Sequence, residues 1–126
     1  MFRTTLAMMA LMASVGAALA QTAPARTADT AKGKALVDGK GMTLYVFDKD
    51  AGGKSACNGP CAQNWPPLAA AADAKPAGDW TIVARDDGSK MWAYKGKPLY
   101  TWKNDKAPGD TTGDGFANGV WHVAKP

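Results

Sequence analysis

Short segments of alternating side chains recur along the chain after residue 34. In residues 43–47, Tyr45 and Phe47 are two positions apart, so they share one face of an extended strand while Val46 points to the other. Tyr100 and Trp102 repeat this spacing. The alternation therefore predicts a β-strand at each of these two places.

Further strands are expected where apolar runs are bounded by turn residues. Residues 35–37 and 91–94 each precede a glycine-containing turn and then an aromatic strand, which is the pattern of a β-hairpin. Residues 81–85 are followed by an Asp-Asp-Gly-Ser turn at residues 86–89, where glycine accepts a positive φ, and residues 121–124 form the last apolar run. About six short strands with little helix predict an antiparallel all-β domain, a small sandwich or a partly closed barrel.

The two halves of this pattern are copies of one unit. Tyr45 and Tyr100 are 55 positions apart, and a Lys-Gly pair precedes each tyrosine at the same distance. Such self-similarity indicates an internal repeat. The aligned pairs are Tyr45 with Tyr100, Phe47 with Trp102, Asp50 with Asp105 and, one residue further along, Trp65 with Trp121.

Aromatic side chains provide most of the candidate core. Each buries roughly 150–250 Å², and burial stabilises by about 25 cal/mol per Å². Eight aromatic residues are therefore expected inside: Tyr45, Phe47, Trp65, Trp80, Trp92, Tyr100, Trp102 and Trp121.

The beginning of the chain has the pattern of a secretory signal peptide over residues 1–20. Arg3 precedes an uncharged apolar run at residues 6–20, which is shorter than the about 20 residues that a membrane-spanning helix needs. The run ends in Ala-Leu-Ala, so cleavage is expected near Ala20. We expect a periplasmic or secreted mature protein, without an integral membrane segment and without a cysteine for lipid attachment beside the cleavage point.

One domain is expected in the mature chain. Residues 21–33 contain no large apolar side chain and are predicted to form a flexible leader. A single β domain is predicted at residues 34–126, with the first repeat at about 34–68 and the second at about 80–126. The alanine-rich segment 69–78 is expected to join them as a short helix or a loop.

The net charge and the distribution of basic residues indicate which class of partner is not expected. The formal net charge of the whole chain is +4, and every acidic residue is an aspartate. Nucleic-acid-binding proteins concentrate Lys and Arg on a stripe or a helix, whereas the basic residues here are spread along the chain. Nucleic acid is therefore not an expected partner.

Cys57 and Cys61 are the only cysteines. In an oxidising compartment, a close pair is expected to form a disulfide, which would fix the Gly-Pro turn between them. The alternatives are a redox-active dithiol or a copper or zinc site. Three residues separate the cysteines rather than the two that are typical of redox motifs, and a metal would need further ligands.

Three aspartates, Asp105, Asp110 and Asp114, lie in one glycine-rich loop and could provide oxygen ligands for a cation. These residues are weak candidates for binding calcium or another hard cation, although the loop lacks the spacing of an EF-hand. The competing interpretation is that Asp50 and Asp105 accept hydrogen bonds from backbone amides in turns.

A catalytic or haem-binding set is not complete in this sequence. His122 is the only histidine, and it would need Met42 or Met91 as a partner to ligate a metal or haem. Ser55 and Ser89 belong to no nucleophile motif. We therefore expect neither an enzyme nor a bound cofactor.

The combined motifs resemble those of a bacterial secreted-repeat family, described as predicted lipoproteins with a Yx(F/W/Y)xxD motif. The resemblance covers nearly everything from residue 34 onwards, including the cysteine pair. It implies an envelope protein whose activity is largely undefined. The residues that carry the motif are Tyr45, Phe47 and Asp50 in the first copy and Tyr100, Trp102 and Asp105 in the second.

These observations favour an exported, non-enzymatic binding module whose partner is an unknown envelope protein or a small ligand. Two alternatives are a metal- or haem-handling or electron-transfer accessory, and a module that binds cell-wall carbohydrate by stacking exposed Trp or Tyr rings on sugars.

Overall fold

The computed structural model describes residues 23–126, so the predicted signal peptide and its cleavage site lie outside the described residues. The elements in chain order are β1 (Arg26–Thr30), β2 (Gly33–Val37), β3 (Tyr45–Phe47), α1 (Pro60–Asn64), β4 (Trp80–Ala84), β5 (Lys90–Tyr94), β6 (Lys97–Pro98), α2 (Phe116–Gly119) and β7 (Trp121–Val123). The strands pair antiparallel in three small sheets, β1–β2, β3–β7 and β4–β5–β6, and within the described residues they do not close into a barrel. This arrangement confirms the all-β fold with little helix.

The flexible leader predicted at residues 21–33 is wrong over much of its length, because β1 lies within it. β1 pairs with β2 in a register that runs from Arg26↔Val37 to Thr30↔Gly33. Its own side chains are mostly exposed or half-buried. The strand is therefore held by backbone hydrogen bonds to β2. Because such bonds require no apolar side chains, the sequence of β1 shows no hydrophobic pattern from which a strand could be predicted.

The connections differ in part from those predicted. Residues 69–78 form a loop, which was one of the two predicted alternatives, and the isolated pairs Ala69↔Met91 and Ala77↔Trp80 connect it to the rest of the fold. The first predicted hairpin is reduced to the single pair Val37↔Thr43, since β2 forms its main ladder with β1.

The two repeats are interleaved in space. β3 from the first repeat pairs with β7 at the end of the second, and Tyr100 of the second repeat pairs with Pro67 of the first. At the centre, the Tyr45 amide donates to the Tyr100 carbonyl (2.8 Å) and the Tyr100 amide donates to the Tyr45 carbonyl (3.0 Å). Each repeat thus completes the backbone pairing of the other.

Two clusters of buried residues form the core. Five of the eight predicted aromatic core residues are buried, but Phe47, Trp80 and Trp92 are only partly buried, which corrects the prediction for these three. Trp80 and Trp92 lie on the outer face of β4 and β5, and a domain of this size has too few elements to cover both faces of each sheet. The buried aromatic residues are Tyr45, Trp65, Tyr100, Trp102 and Trp121. None of the helices within residues 23–126 combines the length and the apolarity of a membrane span.

Candidate functional site

The predicted disulfide between Cys57 and Cys61 is confirmed, with their Cα atoms 5.1 Å apart. Cys57 is fully buried, and α1 begins at Pro60 inside the ring, with Gly59 as its N-cap residue. The amide of Trp65 donates to the carbonyl of Cys61 (2.8 Å), so the disulfide-bonded turn leads the chain to Trp65. The bridge therefore places an aromatic side chain that belongs to the main core.

The motif tyrosine of the first repeat is hydrogen-bonded to the motif aspartate of the second. The Tyr45 hydroxyl donates to Asp105 Oδ2 at 2.6 Å, and both residues are buried. The other oxygen of Asp105 accepts from the amide (3.0 Å) and the hydroxyl (2.6 Å) of Thr112. Asp105 consequently connects its own loop to the strand of the other repeat.

The second repeat returns the same contact. The Tyr100 hydroxyl donates to Asp50 Oδ2 at 2.6 Å, and Asp50 Oδ1 accepts from the amide of Ala56 at 2.7 Å. Sequence reasoning predicted the loop bonds to the two aspartates. It did not predict the hydrogen bonds from the tyrosine hydroxyls to these aspartates. Each motif copy contains one tyrosine and one aspartate, but a strand pattern does not show from which copy the aspartate partner of each tyrosine comes.

The ionisation of the tyrosines follows from this environment. Burial raises the pKa of Tyr45 and of Tyr100 well above the ordinary value, and the carboxylate beside each hydroxyl raises it further. Both hydroxyls therefore stay protonated at physiological pH and act as hydrogen-bond donors. A phenol held in this state is a poor base and a poor nucleophile.

Asp50 has a pKa that depends on opposing effects. Burial raises the pKa of this carboxyl above its ordinary value of 3.8, while hydrogen bonds from the Ala56 amide and the Tyr100 hydroxyl and the charge of Arg85 act against that rise. A carboxyl whose pKa is higher in the folded protein than in the unfolded chain takes up its proton first in the folded state. Its protonation therefore stabilises the fold as the pH decreases.

This linkage predicts a pH dependence for the Asp50→Asn variant. The asparagine cannot take up the proton, so the variant lacks the stabilisation that the wild type gains between neutral pH and the range near 3.8. We expect the melting temperature of the wild type, minus that of Asp50→Asn, to increase as the pH is lowered from 7 through this range. Thermal melts of both proteins at matched ionic strength measure this difference, and a constant or decreasing difference would contradict the assignment.

Four aromatic rings from both repeats form a continuous stack. The ring centroids of Phe47 and Trp121 are 4.2 Å apart, those of Trp121 and Trp65 3.8 Å, and those of Trp65 and Trp102 4.0 Å. The order is symmetric, since exchanging the repeats exchanges the two inner rings and the two outer rings. The edges of Tyr45 and Tyr100 pack on the inner rings at 5.3 and 5.1 Å.

Gly113 lies directly against this stack. A Cβ atom at this position would be 2.7 Å from Cη2 of Trp65 and 3.0 Å from Trp102, which is closer than van der Waals contact allows. The Gly113 amide also donates to the Tyr45 hydroxyl at 3.3 Å. The loop that carries Asp105 thus packs against the stacked rings and is also hydrogen-bonded to the Tyr45 hydroxyl.

Arg85 is a buried cation that sequence reasoning did not select. Its guanidinium donates to the Ser55 hydroxyl (3.0 Å) and to the carbonyl of Cys57 (2.8 Å), and it also lies 3.3 Å from the sulfur of Met91. The Ser55 hydroxyl in turn lies 2.6 Å from that of Tyr100. Arg85 therefore links the end of β4 to the disulfide-bonded turn and to the second tyrosine pair.

The weak metal candidates are engaged in other contacts. Asp110 accepts from the amides of Lys106 and Ala107. Asp114 accepts from the amide of Val123 at 3.0 Å. His122 Nε2 lies 2.8 Å from Asp48 Oδ2. Within residues 23–126, no group of three or more His, Cys, Asp or Glu side chains is arranged to hold a metal ion.

The partly buried tryptophans line an open cleft of about 420 Å³. The rings of Trp80 and Trp92 meet edge to face at 6.3 Å, and Tyr94 packs beside Trp80 at 4.8 Å. We call this the aromatic cleft. Its lining consists of Ala23, Pro24, Asp73, Ala74, Lys75, Ala77, Trp80 and Trp92.

The family comparison agrees with the repeated architecture. The family model Lipoprotein_15, described as a secreted repeat of unknown function, matches residues 26–69 and 81–125. The first match begins at the first residue of β1, and the two matches correspond to the two interleaved units. Comparison with curated proteins and comparison with solved structures gave no significant match. The chain belongs to this family of secreted repeats.

Proposed function

We propose that this member of a secreted family is a non-enzymatic binding module and that its aromatic cleft binds carbohydrate. The observation that carries the proposal is the partial exposure of Trp80 and Trp92 at one cleft, in a fold that buries most of its other aromatic rings. The proposal includes release to the periplasm or the exterior after cleavage near Ala20, where cell-wall glycan is available.

The chemistry of the cleft suits a sugar ring. Its volume of about 420 Å³ is within the range of small-ligand sites. The C–H face of a sugar is apolar and weakly positive, so it packs on the negative face of an indole ring. Asp73 and Lys75 at the rim supply polar groups for sugar hydroxyls, and small alanines leave room beside the rings.

The non-enzymatic part of the proposal is supported by how the motif residues are used. The hydroxyls of Tyr45 and Tyr100 and the carboxylates of Asp50 and Asp105 satisfy one another across the repeats. Their hydrogen bonds stabilise the interleaved fold. A catalytic proton donor or acceptor instead needs a pKa near the operating pH and access to the substrate.

The metal- or haem-handling alternative receives less support. Cys57 and Cys61 are joined to each other, so neither offers a thiolate in this state. Met91 is fully buried, and the guanidinium of Arg85 lies beside its sulfur. His122 lies against Asp48. The residues considered for ligation therefore do not converge on one position.

The Trp92→Ala substitution tests the proposal most directly. We expect binding to weaken about fivefold or more, because stacking on one aromatic ring contributes on the order of 1–3 kcal/mol in nucleobase recognition. Affinity electrophoresis in gels containing soluble peptidoglycan fragments or a neutral β-glucan measures the retardation of each variant.

Two controls make the outcome interpretable. Phe116→Ala removes an aromatic side chain that is 47 % exposed but does not line the cleft, so retardation should be unchanged. Trp92→Tyr retains a ring and should retain most of the binding. Absence of retardation by every glycan, or equal retardation of the wild type and Trp92→Ala, would overturn the proposal.

A further inference from the structure

A second cleft, of about 230 Å³, is lined by residues of the β5–β6 hairpin, of β3 and of the end of β7 with the residues that follow it. It shares none of its lining residues with the aromatic cleft. We call it the lysine cleft. Its lining consists of Val46, Tyr94, Lys95, Lys97, Leu99, Val123, Ala124 and Lys125.

The floor of the lysine cleft is hydrocarbon. Val46 and Tyr94 are half-buried and supply its accessible apolar surface, while the buried core residues Leu99, Val123 and Ala124 line the cleft from the inside. Water at such a surface is displaced favourably by an apolar chain. The floor therefore favours a hydrocarbon part in the ligand, and the small volume limits its length.

The rim carries three positive charges. Lys95, Lys97 and Lys125 are all exposed, and none of them takes part in the ion pairs found within residues 23–126. The ammonium of Lys125 donates to the carbonyl of Lys32. The position of Lys95 is fixed by a turn in which its φ is +50°, followed by Gly96 at +84°. Its ammonium lies 5.2 Å from the ring of Tyr94. The fold thus presents a group of cations at the edge of an apolar floor.

We propose that the lysine cleft binds a small amphiphile with an anionic carboxylate head and a single hydrocarbon chain of medium length. The chain lies on the aliphatic floor and the head pairs with the lysine ammonium groups. This site goes beyond the glycan-binding proposal and does not depend on it. The chemistry that recognises the ligand is charge complementarity at the rim together with apolar burial below it.

The experiment uses octanoate below its micelle-forming concentration as the probe, with the protein followed by NMR. We expect saturable shifts of the amides of Val46, Lys95 and Ala124. Acetate has only the head group, 1-octanol has only the chain, and octyltrimethylammonium has the opposite charge. All three should bind at least tenfold more weakly than octanoate. Equal binding of acetate or of 1-octanol, or no binding of octanoate, would overturn the proposal.

Substitution of the rim lysines distinguishes binding at this cleft from non-specific attraction to the net positive charge of the protein. Combining Lys95→Gln, Lys97→Gln and Lys125→Gln should weaken octanoate binding about tenfold, which corresponds to 1.4 kcal/mol. The matched control replaces three exposed lysines outside the cleft, Lys54, Lys103 and Lys106, by glutamine and should leave binding within about twofold, because distant surface charges are screened by salt.

Octanoate binding can also be distinguished from glycan binding. Trp92→Ala should bind octanoate as the wild type does, since Trp92 does not line the lysine cleft. Equal weakening by the control triple variant would show that attraction to net charge explains the binding, and that outcome would overturn the site. Circular dichroism melts of both triple variants confirm that each is folded at the temperature of the titration.

Discussion

Replacing Trp65 with alanine is expected to lower the free energy of unfolding by about 3–5 kcal/mol, the range for truncating a large aromatic residue in a core. Trp65 is 3 % exposed and is an inner ring of the stack, between Trp121 at 3.8 Å and Trp102 at 4.0 Å. Removing it leaves a cavity and breaks the aromatic contact between the repeats. Urea unfolding with the disulfide intact measures the loss.

The melting temperature gives a second measure of this variant. For a domain of this size, each kcal/mol corresponds to roughly 4–8 °C, so a decrease of more than about 10 °C is expected. Phe116→Ala is the matched control, because Phe116 packs at the edge of the same stack but is 47 % exposed. A loss for Trp65→Ala no larger than that for Phe116→Ala would contradict the central position of Trp65.

Replacing Tyr45 with phenylalanine is expected to cost about 1.5–3 kcal/mol, the range for a hydrogen bond to a charged group. The substitution removes a single oxygen atom. It leaves Asp105 Oδ2 buried without its 2.6 Å donor and removes the acceptor of the Gly113 amide. An uncompensated buried carboxylate oxygen accounts for most of the expected loss. Chemical unfolding of the variant and the wild type, with equal denaturant slopes, gives the difference.

The symmetry-related variant is the natural control for Tyr45→Phe. Tyr100→Phe removes the equivalent bond to Asp50, but Asp50 is only half-buried and its other oxygen keeps the Ala56 amide. Water can reach this carboxylate more easily, so the loss should be smaller than for Tyr45→Phe. The explanation would be wrong if Tyr100→Phe destabilised the protein more, or if Tyr45→Phe stayed within about 0.5 kcal/mol of the wild type.

The reciprocal contacts give a physical reason for the repeated motif. A tyrosine that donates to an aspartate in its own unit would stabilise one repeat alone. Here the bonds Tyr45–Asp105 and Tyr100–Asp50 both cross between the units, and the backbone pairing crosses in the same way. The motif therefore contributes to the association of the two halves, and the third motif position supplies the outer rings of the stack, Phe47 and Trp102.

Much of the candidate site followed from local pattern. The two aromatic strands were predictable because side chains alternate with a period of two, and the disulfide because two cysteines lie close together in an exported chain. The aspartate bonds to loop amides were predictable from turn chemistry. The roles of Arg85 and Gly113 were not, because both depend on residues far away in the chain that the fold brings within contact distance.

The sequence by itself determined the β-rich class, the twofold repetition, the cysteine pair and the likeness to an exported family, since each depends on residue type and short-range spacing. Only the tertiary structure showed that the strand pairing and the tyrosine–aspartate hydrogen bonds are formed between the two repeats. It showed that β1 is a strand, that Trp80 and Trp92 remain partly exposed and that three lysines share one apolar cleft. These features arise from pairing and burial between segments distant in the chain, and local propensity does not encode them.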